Sequence, residues 1–330
     1  MQRRQFLGAT AATLAGPALL GWPLGASAAD YRVRYFPARP GARSRDVALA
    51  PDGTVWYCGQ RDGTLTRLDP SDGALHPVSL GEGAAPHGVV WGPDEAFWVT
   101  EGGQNAIARL DPDGDKVDLI PLPSDFARAN LNTGVFDNDG TYWFTGQNGV
   151  YGRVDPASGR IEAWSSPGGR GPYGITVTPQ GEVWYASLAG SHIAQVDRES
   201  GAARVVKPPT AGQGARRVWA ESRGRLWVSE WNSGQVSVHD PADGSWRQWK
   251  LPGERPRAYS VYVDERDKVW LTDFGANAIV LFDPETESFT SFPSDRANAN
   301  VRQMAGRPGE AWGGESGVDR LVMIAFGPTG

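Results

Sequence analysis

Cysteine is almost missing: Cys58 is the only one in 330 residues, so no internal disulfide holds this fold. Its place on an apolar strand marks it as a buried structural thiol. Histidine is scarce as well, with His76, His87, His192 and His239 alone. None stands beside a Cys or another His at ligand spacing, which argues against a zinc site. His76 falls on an outer strand, His192 at a turn between strands and His239 at a strand end. No basic run exists and the formal charge is −6, which argues against nucleic acid as a partner. The many glycines sit at hairpin positions and not between a strand and a helix, so a phosphate-cradling loop is absent. Glu315-Ser316-Gly317 reads as a turn, not a nucleophile elbow. Asp111-Pro112-Asp113-Gly114-Asp115 lacks the downstream glutamate of a calcium loop. No linker or low-complexity stretch divides the chain.

The one extended apolar stretch, Leu7–Leu24, follows Arg3-Arg4-Gln5-Phe6-Leu7 and ends at Ala26-Ser27-Ala28. This is the pattern of a twin-arginine signal peptide over 1–28, which leaves 29–330 as a single domain exported to the periplasm or beyond. Gly16, Pro17, Gly21 and Pro23 interrupt the stretch, so a stable membrane anchor is not expected. Loss of Arg3 and Arg4 takes the formal charge to −8. An acidic monomer is the expectation.

What the chain has instead is tryptophan at a regular interval. Trp56, Trp98, Trp143, Trp184, Trp227, Trp270 and Trp312 recur every 41 to 45 residues, the period of a β-propeller blade. A tight-turn signal precedes each, as in Pro51-Asp52-Gly53 or Asn138-Asp139-Gly140. An aspartate that ends a third strand follows, for example Asp69, Asp155 or Asp283, usually with proline after it. A fourth segment such as 116–123 or 245–252 completes the unit. The fold class is therefore all-β: a seven-bladed β-propeller of four-stranded blades. The seventh repeat lacks its outer strand, and residues 31–37 at the other end of the chain supply it.

Antiparallel pairing about each turn predicts two slots per blade at one end of the channel, one before and one after each Trp. The first holds Arg45, His87, Asn132, Tyr173, Arg216, Tyr259 and Arg302. The second holds Gly59, Glu101, Gly146, Ser187, Glu230, Asp273 and Glu315. Such a polar double ring departs from core composition and predicts a small-molecule site in the channel. Four carboxylates among cationic and phenolic groups would suit a divalent ion or an anionic or amide-rich ligand. The same residues would also serve as solvated channel walls paired as ion pairs, for example Arg216 with Glu230. Trp231 is expected at the mouth, where it could stack on a ligand ring.

The phrases Pro86-His87-Gly88, Gly171-Pro172-Tyr173-Gly174-Ile175-Thr176, Phe97-Trp98-Val99-Thr100-Glu101 and Tyr142-Trp143-Phe144-Thr145 resemble the streptogramin B lyase (virginiamycin B lyase) family of seven-bladed propellers. The resemblance covers essentially the whole mature chain. It implies opening of a cyclic depsipeptide at its ester by elimination, with a histidine as base and a magnesium ion near a glutamate. The family's glutamate falls on Glu315, while its two histidines fall on Tyr259 and Arg302. Two replacements for the missing base follow: His87 with Glu101 holding the metal, or Tyr259 assisted by Arg302. Arg45, Asn132, Tyr173, Arg216, Glu230 and Asp273 would contact substrate. Three functions stay open. The first is a lyase assisted by Mg2+ or Ca2+. The second is a gluconolactonase-like lactone or ester hydrolase with an ion on Glu101, Asn132, Asp273 and Glu315. The third is a non-catalytic propeller that binds a small molecule or a protein.

Overall fold

Each turn-and-tryptophan phrase folds as an antiparallel hairpin, and each hairpin grows outward by two more strands. In the computed structural model, which describes residues 31–114 and 116–327, this gives seven four-stranded sheets arranged as a propeller. The putting together of blades leaves the inner strands Ser44–Leu49, Pro86–Trp91, Leu131–Phe136, Pro172–Val177, Ala215–Ala220, Ala258–Val263 and Val301–Arg307 around the channel. They head blades 1 to 7 in that order. The proposed leader over 1–28 lies outside the described residues. Among those described, no helix is long and apolar enough to cross a membrane.

Second strands such as Val55–Gly59 and Val183–Ser187 are buried from end to end, while outer strands such as Leu75–Ser79 are half open to solvent. The hydrophobic core is thus a set of clusters between neighbouring blades. The seven tryptophans sit there. Trp98, for example, packs on Tyr142 of the next blade with ring centres 5.3 Å apart. A buried indole N–H needs an acceptor, and a carboxylate in or beside the preceding turn provides it. Trp143 donates to Asp137 at 2.8 Å, Trp227 to Glu221 at 2.8 Å and Trp270 to Asp264 at 2.9 Å. Trp98, Trp184 and Trp312 use Asp94, Glu182 and Glu310 in the same way. Trp56 alone takes a hydroxyl, from Thr54.

The ring closes as its sequence requires. Tyr31–Pro37 pairs with Arg320–Phe326 from Tyr31↔Phe326 to Pro37↔Arg320, completing blade 7. Cys58 is fully buried, and burial pushes its thiol well above the ordinary range. His192 differs from expectation: it opens the third strand His192–Val196 and is buried there, not placed in a turn. His239 ends its strand and stacks on Trp246 at 4.6 Å.

Removing residues 31–37 would leave the strand Arg320–Phe326 as an unpaired edge. Its thermal unfolding midpoint, followed by circular dichroism, is expected to fall by about 10 °C or more. An unchanged midpoint would contradict closure by the N-terminal strand.

Candidate active site

At the head of every inner strand the register slips by one residue. Pro86 pairs with Glu101 but Gly88 pairs with Thr100, and the same β-bulge recurs in all seven blades. His87 is therefore the extra residue and does not face Glu101 across the hairpin. Arg45, Asn132, Tyr173, Arg216, Tyr259 and Arg302 occupy the matching bulges. A slip of one residue turns side chains to opposite faces, so the expected double ring separates into two sets with different roles.

The second-slot carboxylates hold loops and strands, Glu230 and Glu315 through both oxygens and Glu101 and Asp273 through one, with Glu101 Oε2 and Asp273 Oδ2 left buried and unpartnered. Glu101 is fully buried, and its Oε1 accepts the amides of Ala85 at 2.6 Å, Gly103 at 2.8 Å and Gln104 at 3.4 Å. Asp273 takes the amides of Arg257 and Gly275 at 2.7 and 2.8 Å. Glu230 accepts from Ser233 and Gln248, not from Arg216. Glu315 accepts Ser294 Oγ at 2.8 Å on one oxygen and Arg320 Nε at 2.8 Å on the other. Among the described residues no group of three or more His, Cys, Asp and Glu side chains gathers. The magnesium or calcium ion expected on Glu315 or Glu101 wants several free oxygens in one place; the free ones here, Glu101 Oε2 and Asp273 Oδ2, stand on different blades with no further carboxylate or imidazole gathered beside them, so this donor set does not fit it. Nor do Glu101, Asn132, Asp273 and Glu315 come together as the hydrolase-like ion site would require.

The first-slot side chains do converge. Hydroxyls on second strands fix the bulges from the neighbouring blade: Thr100 donates to the Asn132 carbonyl at 2.6 Å and Ser229 to the Tyr259 carbonyl at 2.8 Å. The Tyr173 and Tyr259 hydroxyls meet at 2.9 Å, and Arg216 Nη2 donates to Tyr173 Oη at 2.9 Å. The Arg216 guanidinium lies 4.0 Å from the Tyr259 ring centre and 4.6 Å from that of Trp231, and Arg302 lies 5.2 Å from Tyr259 and from Phe274. Phe274 stacks on Tyr259 at 4.8 Å with rings nearly parallel, and Trp231 meets both edge-on. Trp231 is thus at the mouth, as expected. Phe274 follows Asp273 just as Trp231 follows Glu230, so the repeat frame that pointed to Trp231 points equally to it.

Electrostatics single out Tyr259. Burial opposes ionisation of its phenol, but the guanidinia of Arg216, Arg302, Arg217 and Arg45 together bring it down to about 6. Tyr173 moves the other way, raised by burial and by the neighbouring Tyr259, so it stays a proton donor to that phenolate. His87 is 3% exposed, and burial and then the Arg45, Arg217, Arg302 and Arg216 charges push it well below its usual range. Asn132 Nδ2 lies 3.2 Å from His87 Nε2, which makes Nε2 the acceptor and leaves Nδ1 unpartnered. This neutral, engaged imidazole is the weaker candidate base.

One layer deeper, Arg217 spans the channel to Asp46 with contacts of 3.1 and 3.0 Å, both side chains buried. Gly174 makes room for it, since a Cβ there would stand 2.7 Å from Arg217 Cα. Below this bridge the channel widens into a cavity of about 380 Å³ lined by inner strands, with Trp91, Phe136 and Trp219 among its walls.

A profile of the virginiamycin B lyase family matches residues 24–243, two thirds of the sequence. The chain belongs to that family. A virginiamycin B lyase from Nocardia farcinica strain IFM 10152 is 26% identical over 174 residues, which span 52% of this chain and 57% of the relative. The match therefore takes in little more than half of that curated protein's length. Selenomethionine-substituted virginiamycin B lyase from Staphylococcus aureus superposes with a TM-score of 0.81 at 20% identity, covering 90% of this chain and 99% of that one. A catalytically inactive variant of the same enzyme, solved with quinupristin, gives 0.82 at 19% identity with the same coverage. At these identities the structures establish a shared fold.

Cutting one side of the deep bridge leaves a buried charge alone. Arg217→Met is expected to cost about 3–5 kcal/mol in denaturant unfolding, and adding Asp46→Asn should recover much of that loss. Equal losses from the single and double variants would show that the two residues do not act as a pair.

Proposed function

We propose that this chain is a carbon–oxygen lyase in which Tyr259, not a histidine, removes the proton α to an acyl group. One observation carries the reading: a buried phenol, hydrogen-bonded to Tyr173, lies among guanidinia strong enough to keep it ionised near neutrality. A base works best when its pKa lies near the working pH, and an ordinary tyrosine at about 10 does not. Membership of the lyase family supports elimination as the reaction class.

The steps balance on the chain's own residues. The Tyr259 phenolate takes the α-proton, the C–H electron pair becomes an enolate, and Arg216 and Arg302 offset its negative charge. Collapse of the enolate forms the C=C bond and breaks the β C–O bond. The oxygen departs as a carboxylate, and Tyr259, hydrogen-bonded to Tyr173, releases the abstracted proton to it or to solvent to restore the phenolate. Magnesium in this family would stabilise the same enolate charge; here the arginines occupy that role. A twin-arginine leader over 1–28 would deliver an already folded enzyme to the periplasm.

A streptogramin B substrate incubated with the protein and followed by chromatography with mass detection tests this directly. Elimination opens the ring with a shift in retention and no change in mass, and the rate should survive a chelator. Tyr259→Phe is expected to lower kcat by about 10²–10⁴. In the wild type kcat/KM should rise as pH increases through about 6, because the base form is the ionised one. Arg45, Tyr173, Arg216, Arg217, Arg302 and neutral His87 are the groups that set that midpoint. Full activity in Tyr259→Phe would sink the assignment, and a product heavier by one water would mean hydrolysis.

A further inference from the structure

The channel mouth holds more positive charge than a neutral ester requires. The Tyr259 phenolate, or the enolate that takes over its charge, needs a single cation, yet Arg45, Arg216 and Arg302 all reach this site. Each bonds a neutral partner: Arg45 Nε donates to Gln60 at 2.6 Å, Arg216 to Tyr173 and Arg302 Nε to Ser316 at 2.8 Å. Among the described residues none of the three pairs with a carboxylate, whereas Arg217 beneath them is matched by Asp46. Arg216 Nε is buried with no partner at all. The excess is local, since the chain as a whole carries −6. A site that gathers like charges and leaves a buried donor unmet is poised for an anion, because the anion relieves both the repulsion and the orphaned N–H.

The walls beside those charges are flat and aromatic. Trp231 and Phe274 stand edge-to-face at 5.4 Å beside Tyr259, and both are partly open to solvent. Arg257 adds a further guanidinium 5.3 Å from the Trp231 ring. Aromatic faces grip ring-shaped ligands, whether aryl or sugar.

We infer that the substrate is an organic acid, its carboxylate seated among Arg45, Arg216 and Arg302 and its ring set against Trp231 and Phe274. This rests on the elimination reading of the same mouth and names what that reaction acts on. A carboxylate so placed would also acidify the adjacent C–H bond once its charge is offset, so the same contacts serve binding and proton removal.

Titration calorimetry of the mature protein with benzoate, glucuronate and uncharged benzamide tests the inference without needing turnover. Either acid should bind at least tenfold more tightly than benzamide, and benzoate against glucuronate distinguishes an aryl from a sugar ring. Arg216→Gln should weaken the acid by about tenfold or more, while Trp231→Leu weakens the ring contact and Tyr259→Phe keeps binding. Since Arg216 forms no ion pair, its removal is not expected to unfold the protein, and an unchanged thermal midpoint checks that. Binding of benzamide as tight as either acid, or acid binding indifferent to Arg216, would overturn the inference. The failures separate: acids that bind while Tyr259→Phe retains full lyase activity sink the base assignment alone. Elimination of a neutral depsipeptide with no acid binding sinks the substrate class alone.

Discussion

Every inner strand of this ring carries one residue more than its partner at the channel mouth, and the surplus is absorbed in a β-bulge. The bulge breaks the period of two, so the residue it contains projects differently from the residue paired beside it. Seven such residues, one per blade, become a ring of Arg, His, Asn and Tyr side chains. Hydroxyls of the preceding blade pin several of the bulges through their carbonyls. Without that pinning, guanidinia that repel one another would have no reason to stay close.

The carboxylates show the other side of the same constraint. Register puts Glu101, Asp273 and Glu315 opposite the residue before each bulge. There they meet loop amides and, for Glu315, the Arg320 guanidinium. Loops at the mouth are thereby held by buried acceptors, and none of these carboxylates forms an ion pair with Arg45, Arg216 or Arg302. Acidic side chains elsewhere do comparable structural service, accepting the indole N–H of the recurring tryptophans. A chain that is acidic overall therefore presents a cationic, aromatic mouth. That is the setting in which a tyrosine can replace a histidine as base, since four guanidinia outweigh burial.

A chain with too few histidines for its family's chemistry could be taken for a scaffold that kept the fold and lost the reaction. The proposed reading is instead a transferred role. Tyr259 and Arg302, the two positions where the family resemblance predicts histidine, lie within one cluster with Arg216 and Tyr173, and the ring's only histidine, His87, is neutral and already engaged by Asn132. Below them the Arg217–Asp46 bridge stands between the mouth and the apolar cavity.

Local chemistry was enough to make the blade count, the four-strand unit and the closure by residues 31–37 legible. Trp spacing, turn residues and strand-ending aspartates repeat along the chain, and each acts over only a few residues. The list of first-slot residues was legible for the same reason, because a repeat frame survives a constant offset. What the seven offsets meant was not legible. A bulge of one residue leaves the sequence period intact while turning the side chain to another face, so pairing by counting placed Glu101 opposite His87 when Pro86 stands there. The convergence of Tyr173, Arg216, Tyr259, Arg302, Trp231 and Phe274 joins residues of different blades. So does the charge balance that selects Tyr259, for it sums guanidinia far apart in the chain, and only ring closure fixes their distances.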